Sequence, residues 1–158
     1  MIWLAAIGLL AGLTWMFSQV ESNANRQRVQ TSTDAGETVV RLQRGRSGHY
    51  MAPGTINGQP VNFLLDTGAT DVAVSASLAR KLGLRFGPQV SLQTANGVVR
   101  GNLTRLEEVG LGGIRINNVR ATIGPELGSD VLLGMSFLGK LDWQQSDDEL
   151  LLKQTNTD

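Results

Sequence analysis

The chain has 158 residues, of which 41% are hydrophobic, and its 14 Lys and Arg balance 14 Asp and Glu to give a formal net charge of zero. This length suits one compact domain with an appendage, and without a basic stripe we expect no nucleic-acid partner. No cysteine is present and His49 is the single histidine, so disulfides, thiol nucleophiles and His-rich metal sites are excluded. The adjacent acids at 147–149 fit a solvated turn better than a cation site. We therefore expect no metal and no cofactor.

Residues 1–20 are predicted to form a transmembrane helix. Positions 2–20 carry no charge, and as a helix they would reach about 28 Å, close to the roughly 30 Å hydrocarbon thickness of a bilayer. A cleaved signal peptide would normally show a basic start and a shorter apolar core. Removal stays an alternative, because Ser22-Asn23-Ala24 weakly resembles a cleavage site.

Residues 21–48 are rich in Ser, Asn, Gln, Thr and Arg, which predicts a flexible tether between the span and a folded domain at residues 49–158. Basic residues after a span weakly favour a cytoplasmic location for the C-terminal domain.

The folded domain reads as short strands separated by turn signals. Tyr50 to Ile56 and Val61 to Leu65 flank Asn57-Gly58, a dipeptide that favours a tight hairpin. Ser75 is expected to cap a short helix through Leu82, closed by Gly83. Further strands are predicted at residues 90–95, 98–103, 106–111, 114–123, 131–133, 141–144 and 149–153, with bends at Asn96-Gly97, Gly112-Gly113 and Asn117-Asn118. The pattern is that of an all-β domain with one or two short helices.

The stretch from Val61 to Ser75 contains the strongest candidate for chemistry. An apolar strand ends on Asp66, turns through Thr67 and Gly68, and resumes as alternating valines. Burying a carboxylate is costly unless hydrogen bonds or a shared proton compensate. Asp66 is therefore either a turn residue that bonds its own backbone or a chemical group.

Three features resemble the retropepsin-like aspartic proteases: FLLDTGAT at residues 63–70, a hairpin about thirty residues later, and VLLG at residues 131–134. With the N-terminal span, the chain resembles the membrane-anchored bacterial branch of this family. The resemblance implies a single-domain retropepsin-like closed β-barrel preceded by a transmembrane helix. It also implies location at the bacterial inner membrane with a periplasmic protease domain, whereas the basic residues after the span weakly favour the cytoplasm.

The resemblance further implies an endopeptidase in which Asp66 activates water, because two carboxyls sharing one proton supply both the base and the acid of amide hydrolysis. Thr67, Gly68, Ala69 and Thr70 would support the active-site loop. The chain contains one Asp-Thr-Gly, so a complete site implies a homodimer acting on a protein or peptide substrate. For the neighbouring Asp71, an exposed strand charge and a substrate-binding role stay equally open.

Two other segments acquire roles by the same resemblance. A flap that covers substrate would comprise Thr94, Ala95, Asn96, Gly97 and Val98. Leu132, Leu133 and Gly134 would pack behind the Asp66 loop. A plain surface hairpin and a plain core strand remain the respective alternatives.

Two rival functions differ in how well the sequence supports them. A serine hydrolase is disfavoured because Leu138 stands where the nucleophile elbow around Ser136 needs glycine. A catalytically silent, membrane-tethered peptide-binding module of the same fold stays open, because a fold does not determine activity. The intact Asp-Thr-Gly favours the enzyme.

Overall fold

A computed structural model describes residues 29–34, 36–45, 47–94, 97–124 and 128–155. Within these residues the chain forms β-strands and two short helices. The strands are β1 (Val29–Asp34), β2 (Glu37–Gln43), β3 (Tyr50–Ile56), β4 (Gln59–Leu65), β5 (Val72–Ser75), β6 (Gln89–Thr94), β7 (Gly97–Leu111), β8 (Ile114–Gly124), β9 (Val131–Leu133), β10 (Asp142–Ser146) and β11 (Glu149–Thr155). The helices are α1 (Ala76–Lys81) and α2 (Met135–Leu138).

Six strands close into a barrel in the order β3-β4-β9-β5-β8-β7. The ring is completed by antiparallel pairing of β3 with β7, from Gly54 opposite Leu111 to Ile56 opposite Val109. Strand β6 pairs with β7 outside this ring. The prediction of an all-β closed barrel with short helices is confirmed.

Apolar side chains that alternate along the strands fill the barrel. The largest fully buried ones include Phe63, Ile56, Leu106 and Leu133, and Phe137 of α2 is buried with them. Burial of this kind contributes about 25 cal/mol per Å² of apolar surface, and the buried residues of β4 and β9 beside the Asp66 turn share in it. The rigid core thus supports the turn that carries the candidate acid.

Local signals in the sequence give the expected turns and cap. Asn57 and Gly58 both have positive φ, 50° and 78°, as a two-residue type I′ hairpin requires. Ser75 caps α1 by accepting a hydrogen bond from the Leu78 N–H at 3.3 Å, and Gly83 ends the turn at φ +68°. These predictions are confirmed. They could be made from the sequence because each feature depends on neighbouring residues alone.

The two strands predicted at residues 98–103 and 106–111 are one continuous strand, β7, of 15 residues. The boundary was wrong because Thr104 and Leu106 are buried and Arg105 between them is exposed, so the alternation of a strand is present across the gap between the two predicted strands. The bend predicted at Asn117-Asn118 is present, with Asn118 at φ 55°.

The predicted tether is wrong from Val29 to Gln43. Within this range Val29–Asp34 and Glu37–Gln43 form β1 and β2. They join β11 and β10 in a four-stranded sheet of order β1-β2-β11-β10. Val40 and Leu42 are fully buried there. The folded domain therefore begins at or before Val29, whereas residues 21–28 lie outside the described part of the chain.

No helix among the described residues has the length and apolar character needed to cross a bilayer. The transmembrane helix predicted for residues 1–20 lies outside these residues.

Candidate active site

Two parallel core strands position Asp66. Strand β4 runs beside β9, with Phe63 opposite Val131 and Leu65 opposite Leu133. The Asp66 N–H continues this ladder by donating to the Leu133 carbonyl at 3.2 Å. Phe63 and Leu65 are buried, but Asp66, the next residue, is exposed. The side chain of Asp66 therefore leaves a rigid strand end directly into solvent.

The turn after Asp66 orients its carboxylate. The Gly68 N–H donates to Asp66 Oδ1 at 2.9 Å, and the Ala69 N–H donates to the Asp66 carbonyl at 3.2 Å. A Cβ on Gly68 would lie 3.2 Å from that same Oδ1, tight for the contact, so glycine lets the amide approach. One carboxylate oxygen is thereby fixed, and within the described chain no other protein donor contacts this carboxylate.

The start of α2 holds the far side of the turn. The Met135 N–H donates to the Ala69 carbonyl at 2.8 Å, and the Ser136 N–H donates to the Thr70 carbonyl at 2.9 Å. Strand β9 ends at Leu133, and a Cβ on the next residue, Gly134, would collide with the Asp71 carbonyl and lie 2.6 Å from that of Ala69. The loop and α2 thus pack together backbone against backbone.

Ser136 adds a side-chain link that the sequence did not predict. Its hydroxyl accepts from the Val72 N–H at 2.9 Å and donates to the Arg120 carbonyl at 2.7 Å. The hydroxyl is therefore used in connecting β5 to β8, which agrees with its rejection as a nucleophile.

Asp71 is held in an ion pair. Its Oδ1 accepts from Arg120 Nε at 2.7 Å, and the side chain of Asp71 is only 15% exposed. The interpretation as an exposed strand charge is therefore wrong, whereas a role in substrate binding stays a prediction. Arg120 was missed because it lies on β8, which reaches β5 by a parallel pairing with Val72 opposite Ala121. No local pattern indicates that contact.

The remaining loop residues face solvent. Thr67 is exposed, and its hydroxyl forms no hydrogen bond within the described chain. Thr70 contributes its carbonyl to the loop, and its hydroxyl forms no hydrogen bond to Asp66. Leu132 and Leu133 lie on β9 opposite Leu64 and Leu65, directly beside the turn.

The hairpin predicted as a flap extends from the barrel. Residues of β7 from Asn102 onward pair with β8, but those from Gly97 to Gly101 pair only with β6. Near the end, the Thr94 hydroxyl donates to the Gly97 carbonyl at 2.8 Å, and Val98 is 65% exposed. Ala95 and Asn96 lie outside the described residues. Among the described residues no hydrogen bond joins the hairpin to the Asp66 turn.

Comparison with known proteins places this architecture in a family. A family model described as "gag-polyprotein putative aspartyl protease" matches residues 52–140. An uncharacterised protein of Sinorhizobium sp is 33% identical over 166 residues, which cover 96% of this chain and 71% of that protein.

Two solved structures are similar. A retropepsin-like aspartic protease from Rickettsia conorii matches with a TM-score of 0.64 and 29% identity, over 78% of this chain and 95% of that chain. The EIAV protease, at 21% identity, shares the fold with a TM-score of 0.51 over 62% of this chain and 92% of its own. Together with the closed barrel and the Asp66 turn, these matches show that the chain belongs to the retropepsin-like family of aspartic proteases.

Proposed function

We propose that the chain is an aspartic endopeptidase whose active site forms when two copies meet, each supplying Asp66. The observation that carries this proposal is the exposed, singly anchored carboxylate of Asp66 at the end of a buried strand. The other acid of the same loop, Asp71, is already paired with Arg120. One chain therefore brings one available carboxyl, and amide hydrolysis by this chemistry needs two.

The reaction depends on the paired carboxyls. Two such groups in close contact share one proton because both cannot be ionised together. The ionised carboxylate takes a proton from water while the water oxygen attacks the peptide carbonyl carbon. The protonated carboxyl donates its proton to the peptide carbonyl oxygen. Return of a proton to the amide nitrogen then breaks the C–N bond. The Gly68 N–H, which holds Oδ1 at 2.9 Å, would keep each carboxylate in its orientation through these steps.

A two-fold axis through the Asp66 turns is the arrangement that joins two identical half-sites. The exposed hydroxyl of Thr67 and the exposed backbone of Gly68 are available to the second copy. The β6–β7 hairpin would close over bound peptide as a flap, with Val98 supplying an apolar contact. A side chain that is 65% exposed in one copy would bury its surface there.

Assembly from two half-sites makes activity depend on concentration. We expect the rate of cleavage of a peptide library by the full chain to rise with the square of protein concentration when monomers predominate, and linearly once dimers form. Sedimentation velocity on the same samples should show a two-subunit species over the same range. Activity strictly proportional to concentration in a monomeric sample would contradict the shared site. No cleavage in a dimeric sample would favour the silent peptide-binding module.

We also propose that residues 1–20 anchor the protein in the bacterial inner membrane with the protease domain in the periplasm. The uncharged run at residues 2–20 supports this, and tethering would promote dimerisation by raising the effective concentration. A reporter active only outside the cytoplasm should be active when fused after Asp158 and inactive when residues 2–20 are deleted. A reporter active only in the cytoplasm should give the opposite pattern. Reversed results would place the domain in the cytoplasm.

A further inference from the structure

We propose that a cavity on the side of the barrel, whose lining contains no residue of the Asp66 turn, binds a small organic anion. The cavity has a volume of about 430 Å³, which lies within the range of small-molecule sites. It is bounded by the turn at Asn57, the segment from Gly83 to Pro88 between α1 and β6, and strands β7 and β8. The charged residues of its lining are three arginines, Arg85, Arg105 and Arg120, and one acid, Glu107.

The placement of two of these arginines is unfavourable without an anion. Arg105 on β7 lies directly opposite Arg120 on β8 in the antiparallel register, and like charges directly opposite on a sheet destabilise it. The existing contacts compensate only in part. Arg120 uses Nε for Asp71, and Arg105 Nη1 donates to a neutral oxygen, Asn118 Oδ1, at 3.0 Å. An anion between the two guanidinium groups would remove the repulsion.

The third arginine is available for binding. Arg85 is exposed and forms no ion pair or hydrogen bond within the described chain. Guanidinium groups present paired N–H donors that match the oxygens of carboxylates and phosphates. Three such groups face the carboxylate of Glu107 and that of Asp71, which already binds Arg120. The cavity keeps a net positive charge, so its ligand should carry a negative group.

The rest of the lining indicates that the ligand has a carbon skeleton. Leu84, Leu103 and Pro88 give the cavity an apolar wall, and the space is far larger than an inorganic phosphate ion.

Arg120 connects this cavity to the Asp66 loop, because its Nε binds Asp71 and its carbonyl binds Ser136. An anion that draws the Arg120 guanidinium toward the cavity competes with Asp71 for it. Binding should therefore be detectable at the loop as a change in the backbone amide shift of Gly68. The binding itself does not depend on the proposed peptidase activity.

Thermal unfolding and calorimetry of the full chain test the site with three probes. Succinate supplies two carboxylates, phenyl phosphate supplies a phosphate ester, and succinamide is an uncharged control. Each is compared with NaCl at equal ionic strength, because screening alone changes surface charge effects. We expect saturable binding of at least one anion, with the melting temperature raised by roughly 5–10 °C at a hundredfold excess over Kd. The anion that binds shows whether the site accepts carboxylates or phosphate esters. Absence of saturable binding by both anions would overturn the proposal.

Matched variants distinguish a specific binding site from nonspecific electrostatic attraction. Arg105→Gln should raise Kd at least about tenfold without lowering the melting temperature of the ligand-free protein, because it removes the cross-strand repulsion. Arg85→Gln, which loses no described protein contact, should weaken binding likewise. Arg41→Gln is the control, since Arg41 pairs with Glu149 on the four-stranded sheet at 3.4 Å, and it should leave Kd unchanged. Equal weakening by Arg105→Gln and Arg41→Gln would show that no specific site exists.

Discussion

Replacing Asp66 with Asn is expected to lower kcat/KM for peptide cleavage by at least about a thousandfold, because general acid and base catalysis contributes factors of about 10² to 10⁴. An amide side chain neither accepts the proton of water nor donates one to the substrate. Its oxygen can still accept the Gly68 N–H that now contacts Oδ1 at 2.9 Å, so the turn and the melting temperature should be preserved. Loss of activity in a folded protein would thus report chemistry.

The comparison uses the full chain and a peptide library analysed by mass spectrometry. Asp147→Asn is the matched control, because Asp147 lies in the turn between β10 and β11 at φ 44°, a conformation that Asn tolerates. This control should retain full activity. Equal cleavage by the parent and by Asp66→Asn would contradict the assignment of Asp66 as catalytic.

Mixing the two proteins tests the shared site more directly. Excess Asp66→Asn chain should suppress the parent's activity, because a mixed dimer carries one carboxyl where two are needed. Suppression should follow the fraction of mixed dimers measured by sedimentation of differently labelled chains. Full retention of activity in fully mixed dimers would mean that one chain contains a complete site.

Gly134→Ala is expected to have the second largest effect. The new Cβ would collide with the Asp71 carbonyl and lie 2.6 Å from the Ala69 carbonyl. Both contacts are to backbone, so the Asp66 loop must move away from β9 and α2. We expect destabilisation of about 1–3 kcal/mol and a fall in kcat/KM of about a hundredfold, the typical cost of misplacing a catalytic group by about 1 Å.

Gly58→Ala is the control that separates a loss of protein stability from a displacement of the Asp66 loop. Gly58 has φ +78° and open space around its position, so alanine there should cost about 1–2 kcal/mol through backbone strain alone. Denaturant unfolding and peptide cleavage are measured on both variants. Gly58→Ala should retain activity at temperatures where it is folded. If Gly134→Ala matches it in both measurements, the close packing behind the Asp66 loop does not matter for the site.

Features specified by neighbouring residues could be predicted from the sequence. The Asn57-Gly58 turn and the Ser75 cap depend on backbone dihedrals and side-chain hydrogen bonds within a few positions. The Asp66 turn has the same local character. Its placement beside Leu133 was expected only from the family resemblance, because no local pattern pairs β4 with β9. The functional roles assigned to the loop and flap residues stay predictions.

Features that depend on distant contacts could not be predicted. Val40 and Leu42 lie in a mostly polar segment, and they are buried because β2 pairs with β11, where Leu152 and Leu150 stand opposite them. Two apolar residues give too short an alternation to indicate a strand on their own. The Asp71–Arg120 ion pair joins residues 49 positions apart, and its partner could not be chosen from among the other arginines of the chain.

Because the folded domain already includes Val29, a membrane anchor at residues 1–20 would limit how far from the bilayer the active site could lie. With the proposed anchor ending at residue 20 and β1 starting at Val29, the connection is residues 21–28, which span at most about 28 Å when fully extended. A tether through residue 48 would have allowed more than three times that distance. With that anchor, the barrel would be kept close to the lipid surface. Peptide bonds near the bilayer would be within reach, and distant segments of large proteins would be spared.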